Sequence, residues 1–185
     1  MNGDYENYLY IIIFLVIAIP ACLFVILINK RRRTGKIKKP LVVNGGNISI
    51  FFDRTGNVTV IPYVKDKYGS GKATLNVVTV RMPYSPDNLG YTVKNSLNGC
   101  KNSTPCSNSE LLDKLGAMDW KQFSSDKRNI SLYFREGYGL VFNTTSRQLD
   151  GAYRFNINGS EITIPADIED AVLGSTLLQL LGKCR

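Results

Sequence analysis

Apolar residues along this chain fall into three patterns, and each predicts a different kind of element. The first is continuous. Leu9 to Ile28 is a run of 20 residues without a charge, long enough to cross about 30 Å of hydrocarbon as a helix. Asp4 and Glu6 precede it and Lys30-Arg31-Arg32-Arg33 follow, the reverse of the flanks of a cleaved secretory signal. Pro20 inside it is of a kind that membrane helices tolerate. The run is expected to be a single transmembrane helix, with residues 1–8 as a short extracytoplasmic tail and 29–46 as a basic juxtamembrane linker.

The second pattern is alternation. Asn47-Ile-Ser-Ile-Phe-Phe52 and Asn57-Val-Thr-Val-Ile61 read as strands joined at the turn Asp53-Arg-Thr-Gly56, a hairpin. Pro62 suggests a strand end or sheet edge. Lys65 to Lys72, with Gly69-Ser-Gly71, reads as a solvated loop before a third strand at 73–82. The third pattern has helical spacing. After Ser85 as N-cap and Pro86 in the first turn, Leu89, Val93, Leu97 and Cys100 share one face.

These patterns occur twice. Asn47-Ile-Ser-Ile-Phe-Phe52 returns 82 positions later as Asn129-Ile-Ser-Leu-Tyr-Phe134. Leu89-Gly90 with Val93, Leu97, Cys100 and Lys101 returns at an offset of 84 as Leu173-Gly174 with Leu177, Leu181, Cys184 and Arg185. Residues 47–101 and 129–185 are therefore read as two copies of a β-meander-plus-helix unit. Strands in the second copy are expected near 129–135, 138–143, 152–157 and 160–165, the last two turning at Asn158-Gly159. The connector 102–128 holds a short helix capped by Ser107 or Ser109, and Trp120 and Phe123 pack it back. One unit of about 55 residues buries too little surface to stand alone. The expected fold class is α+β: the membrane helix, then a duplicated domain with an antiparallel sheet covered by helices.

Charge refines this picture. The net +8 divides into −2 before the apolar run, +7 from Lys30, Arg31, Arg32, Arg33, Lys36, Lys38 and Lys39, and +3 over 41–185. Those seven bases are expected to lie at the membrane surface. By the positive-inside rule they place the rest of the chain in the cytoplasm of a single-pass inner-membrane protein. The near balance of 41–185 argues against nucleic-acid binding. Cys22 lies in the apolar run, and Cys100, Cys106 and Cys184 are an odd set, read as core or incidental thiols. Sequons open at Asn47, Asn57, Asn102, Asn129, Asn143 and Asn158; they would matter only in a secretory lumen.

Catalytic equipment is sparse in the sequence. There is no histidine, the commonest general base and metal ligand near neutral pH. Neither a Cys-x-x-Cys zinc pair nor a dinucleotide fingerprint occurs, and Gly69-Ser-Gly71-Lys72 only superficially resembles a phosphate loop. No cofactor, metal or small-molecule substrate is expected. Asp167, Glu169 and Asp170 cluster at the start of the last helix, where capping and the helix dipole account for acids. Their functional reading is an acidic patch contacting a basic partner. Adjacent carboxylates on one helix turn do not flank a glycosidic bond.

The segment Leu173-Gly-Ser-Thr-Leu-Leu-Gln-Leu-Leu-Gly-Lys-Cys-Arg185, with Trp120-Lys-Gln-Phe123 and the strand Asn129 to Phe134, resembles the bacterial contact-dependent growth inhibition immunity proteins. The likeness covers roughly residues 105–185, with a weaker echo in the first copy. It implies a small α+β domain that binds and neutralises a protein toxin delivered by a neighbouring cell, and no enzymatic activity. The alternative from the residues alone is a non-catalytic interaction module of a bacterial membrane or secretion assembly.

Overall fold

The computed structural model describes residues 41–156 and 161–185. These residues form an α+β fold around one antiparallel sheet that curls into a half-barrel. The strands are β1 (Asn47–Phe52), β2 (Val58–Lys65), β3 (Gly71–Ala73), β4 (Val78–Val80), β5 (Arg128–Arg135), β6 (Gly139–Arg147), β7 (Tyr153–Phe155) and β8 (Ile162–Ile164). The helices are α1 (Pro86–Gly99), α2 (Asn108–Leu115), α3 (Trp120–Ser124) and α4 (Asp170–Leu181). Sheet order is β3-β2-β1-β5-β6-β7, with β4 also on β2 and β8 also on β6.

Local chemistry explains the element ends. The Asp53 carboxylate accepts from the backbone N–H groups of Thr55 (2.9 Å) and Asn57 (2.8 Å), and Gly56 supplies a φ of 85°. Ser85 caps α1 by accepting from the N–H of Asn88. Ser107 and Glu110 form a reciprocal capping box on α2, and Asp119 caps α3.

The two central strands pair about a local two-fold axis. Ser49 faces Ser131, Ile48 faces Leu132 and Ile50 faces Ile130, so residues 82 apart exchange places across the axis. Alternation sends Ile48, Ile50, Phe52, Ile130 and Leu132 to one face, where Leu89, Val93 and Leu97 of α1 and Leu173 and Leu177 of α4 cover them. The helices meet at glycines in a reciprocal way. A Cβ on Gly90 would collide with the Asp170 carbonyl, and one on Gly174 with the Pro86 carbonyl. The two thiols repeat the same relation: Cys100 donates to the Asn47 carbonyl (3.5 Å) and Cys184 to the Asn129 carbonyl (3.2 Å).

The structure corrects several expectations. Among the described residues no helix is long and apolar enough to cross a membrane. The membrane helix in the expected fold class is therefore no part of the fold described, and the inner-membrane location is withdrawn with it. The run Leu9–Ile28, the tail 1–8 and the bases Lys30 to Lys39 lie outside the described residues. Within the stretch read as linker, Val43 is buried in the main core and donates its N–H to the Ala166 carbonyl.

In place of the single strand expected at 73–82 there are two short ones that pair successive stretches of β2: β3 begins at Gly71, inside the stretch read as loop, and β4 covers Val78–Val80. Pro62 lies inside β2, not at its end, opposite this interruption, with its carbonyl accepting from Thr74. In an antiparallel strand a residue's N–H and C=O point the same way, so the missing donor faces the gap. β7 and β8 likewise both pair with β6 instead of with each other. Both run antiparallel to β6, which rules out the expected hairpin; its turn at Asn158-Gly159 lies outside the described residues. The last helix starts at Asp170, three residues later than Asp167.

Candidate functional site

The second face of the sheet is polar at its centre. Asn47, Ser49, Asn129, Ser131 and Thr145 alternate with the core residues and line a cleft of about 310 Å³. Its far wall is a smaller hydrophobic cluster in which α2 and α3 bring Leu111 and Phe123 onto Phe51 and Ile61. Phe51 meets Trp120, Phe123 and Tyr153 edge to face at centroid distances of 5.7, 5.2 and 5.5 Å. The Tyr153 hydroxyl donates to the Lys127 carbonyl at 2.7 Å. Burial, opposed by the nearby Arg147, pushes its pKa up to about 12, so it stays a neutral donor.

A second, larger cavity of about 560 Å³ lies at the end of the sheet marked by Asn47, lined by Asn47, Tyr63, Lys65, Lys101, Tyr133 and Phe134 among others. Asn47 and Tyr63 belong to both cavities. Lys65 and Lys101 are exposed at this mouth. The stem of Lys101 lies over Gly45, where a Cβ would approach its Cε to 2.7 Å. Among the described residues neither ammonium group has a hydrogen bond or ion pair, and no carboxylate lines either cavity. Burial raises the Tyr63 pKa above the ordinary phenol value.

Two hairpin tips flank the mouth, since β2 and β5 both run two residues past the level of Asn47. Lys67 stands 4.9 Å over the Tyr68 ring and Arg135 4.2 Å over the Tyr138 ring, and both rings are exposed. Asp66, the acid of the first tip, accepts the N–H groups of Tyr68 and Ser70. Glu136 is the acid of the second.

The opposite end holds the counterparts of these residues, and it is closed. The strand registers match Asn47 with Asn129, Tyr63 with Thr145 and Lys65 with Arg147. Arg147 donates to the Ser124 hydroxyl and the Lys121 carbonyl, both at 3.1 Å. The backbone of Arg185 bonds to Thr145 and Arg147. Asn129 is only 3% exposed, held by the Ile50 carbonyl and Thr145, whereas Asn47 is exposed.

Of the acids expected to contact a partner, Asp167 and Glu169 are exposed before α4. Asp170 is turned inward and pairs at 2.7 Å with Lys94, which is completely buried. The Lys94 ammonium also donates to the Ile168 carbonyl. The three therefore do not present one outward acidic patch. Sequence reasoning passed over Lys94, although Gly90 and Lys94 are four apart on the stripe that meets α4. It also passed over Lys65 and Lys101, although the match of Cys100-Lys101 with Cys184-Arg185 pointed to that place. Burial raises the thiol pKa of Cys100, Cys106 and Cys184, which disfavours the nucleophilic thiolate. Among the described residues no group of three or more metal-ligating side chains occurs. The arrangement suits recognition by hydroxyl, amide, aromatic and ammonium groups.

No protein-family profile matches the sequence, and no curated protein is significantly similar to it. The fold is similar to that of solved structures. One is a protein of unknown function from Neisseria meningitidis, at a TM-score of 0.59 and 11% identity over 78% of this chain and 98% of the other. Another is a chain of the CdiA-CT/CdiI toxin and immunity complex from Yersinia pseudotuberculosis, at 0.58 and 14% over 78% and 99%. The α+β fold of this chain is thus one that also occurs in a toxin and immunity complex.

Proposed function

We propose that this chain is an immunity-type inhibitor, which binds a protein toxin domain delivered by neighbouring bacteria and neutralises it without chemistry of its own. The observation that carries this reading is the shared fold with a chain of a toxin and immunity complex, aligned over nearly the whole of that chain. The resemblance of the Leu173 to Arg185 segment to immunity proteins of contact-dependent growth inhibition points the same way. The open sheet face adds a cleft lined by Phe51, Tyr63, Trp120, Tyr153 and Phe155, aromatic types that are enriched at protein interfaces.

The test is growth competition. A strain lacking this gene is expected to be inhibited by siblings that deliver the toxin, and expression of the full chain to restore growth. Equal growth of deleted and complemented strains beside toxin-bearing siblings would sink the reading.

A further inference from the structure

Resting on the reading that the chain binds a protein, we infer that the Lys65 and Lys101 mouth receives an acidic segment of that partner. The segment's carboxylates lie at the two ammonium groups, and its chain continues along the polar cleft over Ser49 and Ser131.

Charge complementarity carries the argument. Two exposed lysines, unpartnered among the described residues, stand at a cavity of about 560 Å³ that no carboxylate lines. The fold does not need these cations for its own hydrogen bonding. Across the two-fold axis the counterpart of Lys65 is Arg147, whose guanidinium already holds the Ser124 hydroxyl and the Lys121 carbonyl. The same position thus serves as an oxygen-binding donor in one half and is left open in the other. The rims reinforce this, because Lys67 with Tyr68 and Arg135 with Tyr138 place further cations and exposed rings beside the mouth. Arg and Tyr are the residue types on which interface energy concentrates. Asp66, the acid on the first tip, is already engaged by backbone N–H groups. Asn47 and Tyr63 line both mouth and cleft, so the two are adjacent and an extended segment anchored at the lysines would pass over these residues to reach the sheet face.

The experiment uses the full chain and a decaglutamate peptide, with a glycine-serine peptide as control. Lysine acetylation is mapped by mass spectrometry with and without each peptide. Decaglutamate is expected to reduce labelling of Lys65 and Lys101 severalfold while Lys114 and Lys183 stay unchanged. The double variant Lys65→Gln/Lys101→Gln is expected to bind the peptide about tenfold more weakly, with a shallower salt dependence. Absent or uniform protection of the lysines would overturn the inference. So would a mixed-sequence oligoribonucleotide that gives the same footprint at tighter affinity, because the mouth would then be a nucleic-acid site. The footprint needs no toxin, so the two readings fail separately. A localised footprint without protection in competition removes the immunity function and keeps the mouth; protection without a footprint does the reverse.

Discussion

Asn47 and Asn129 occupy equivalent places on the two central strands, yet one is exposed and the other is sealed. The strands, the thiol beneath each asparagine and the helix over each strand are alike. The difference comes from what lies on top. At Asn129, α3 presents Ser124 and Lys121 to Arg147, and the end of the chain at Arg185 adds backbone bonds to β6. At Asn47 no such cover exists among the described residues, and the cations there remain available. One internal symmetry thus supplies a closed end that stabilises and an open end that can recognise, a division that follows from a connector and a tail.

The comparison can be broken or sharpened by substitution, starting with the contacts that hold both halves. Asp170→Ala leaves the Lys94 ammonium buried without its carboxylate, and is expected to lower stability by about 3–5 kcal/mol in urea denaturation. Gly90→Ala and Gly174→Ala each put a methyl against the facing helix backbone. Each should cost about 2–3 kcal/mol, the overpacking strain being partly offset by helix propensity. Near-equal losses would support the reciprocal crossing, and a large loss at only one would break it.

The halves should separate at their basic positions. Arg147→Ala removes two hydrogen bonds and leaves Ser124, fully buried, short of a partner. Its expected cost is about 1–2 kcal/mol. Lys65→Ala, its counterpart, should stay within about 0.5 kcal/mol of wild type. The closed end also carries a pH-dependent contribution, at its hairpin tip. There burial would raise the Asp53 pKa, but hydrogen bonds from Thr55 and Asn57 outweigh it and hold the carboxyl below 3.8. A lowered folded pKa contributes stability that is present above the unfolded value and lost as pH falls through the folded one. Asp53→Asn should therefore cost about 1 kcal/mol at neutral pH, and its difference from wild type should shrink as pH drops below 4 toward 2.

What the sequence disclosed follows from which forces are local. The match of Asn47–Phe52 with Asn129–Phe134 is a matter of alternation, and those stretches lie side by side in the sheet. The Ser85-Pro86 start and the Asp53 to Gly56 turn are capping and turn chemistry, written within a few residues. Tertiary decisions were less visible. The apolar pattern of 73–82 carries no mark of the point where its pairing with β2 is interrupted, and only Pro62, on β2 itself, registers it. Asp170 read as a surface acid because its partner, Lys94, lies on another helix. The mouth escaped notice because a lysine's value as a binding group depends on what fails to cover it.

The central claim, that the open end and not the closed one meets the partner, is tested most directly by growth beside toxin-bearing siblings. Cells lacking the gene would express wild type, Lys65→Glu/Lys101→Glu, or Lys114→Glu/Lys183→Glu, with all three proteins first matched in denaturation midpoint. Protection by wild type and by the Lys114/Lys183 variant, but not by the Lys65/Lys101 variant, is the expected result. Full protection by the Lys65/Lys101 variant would contradict the claim.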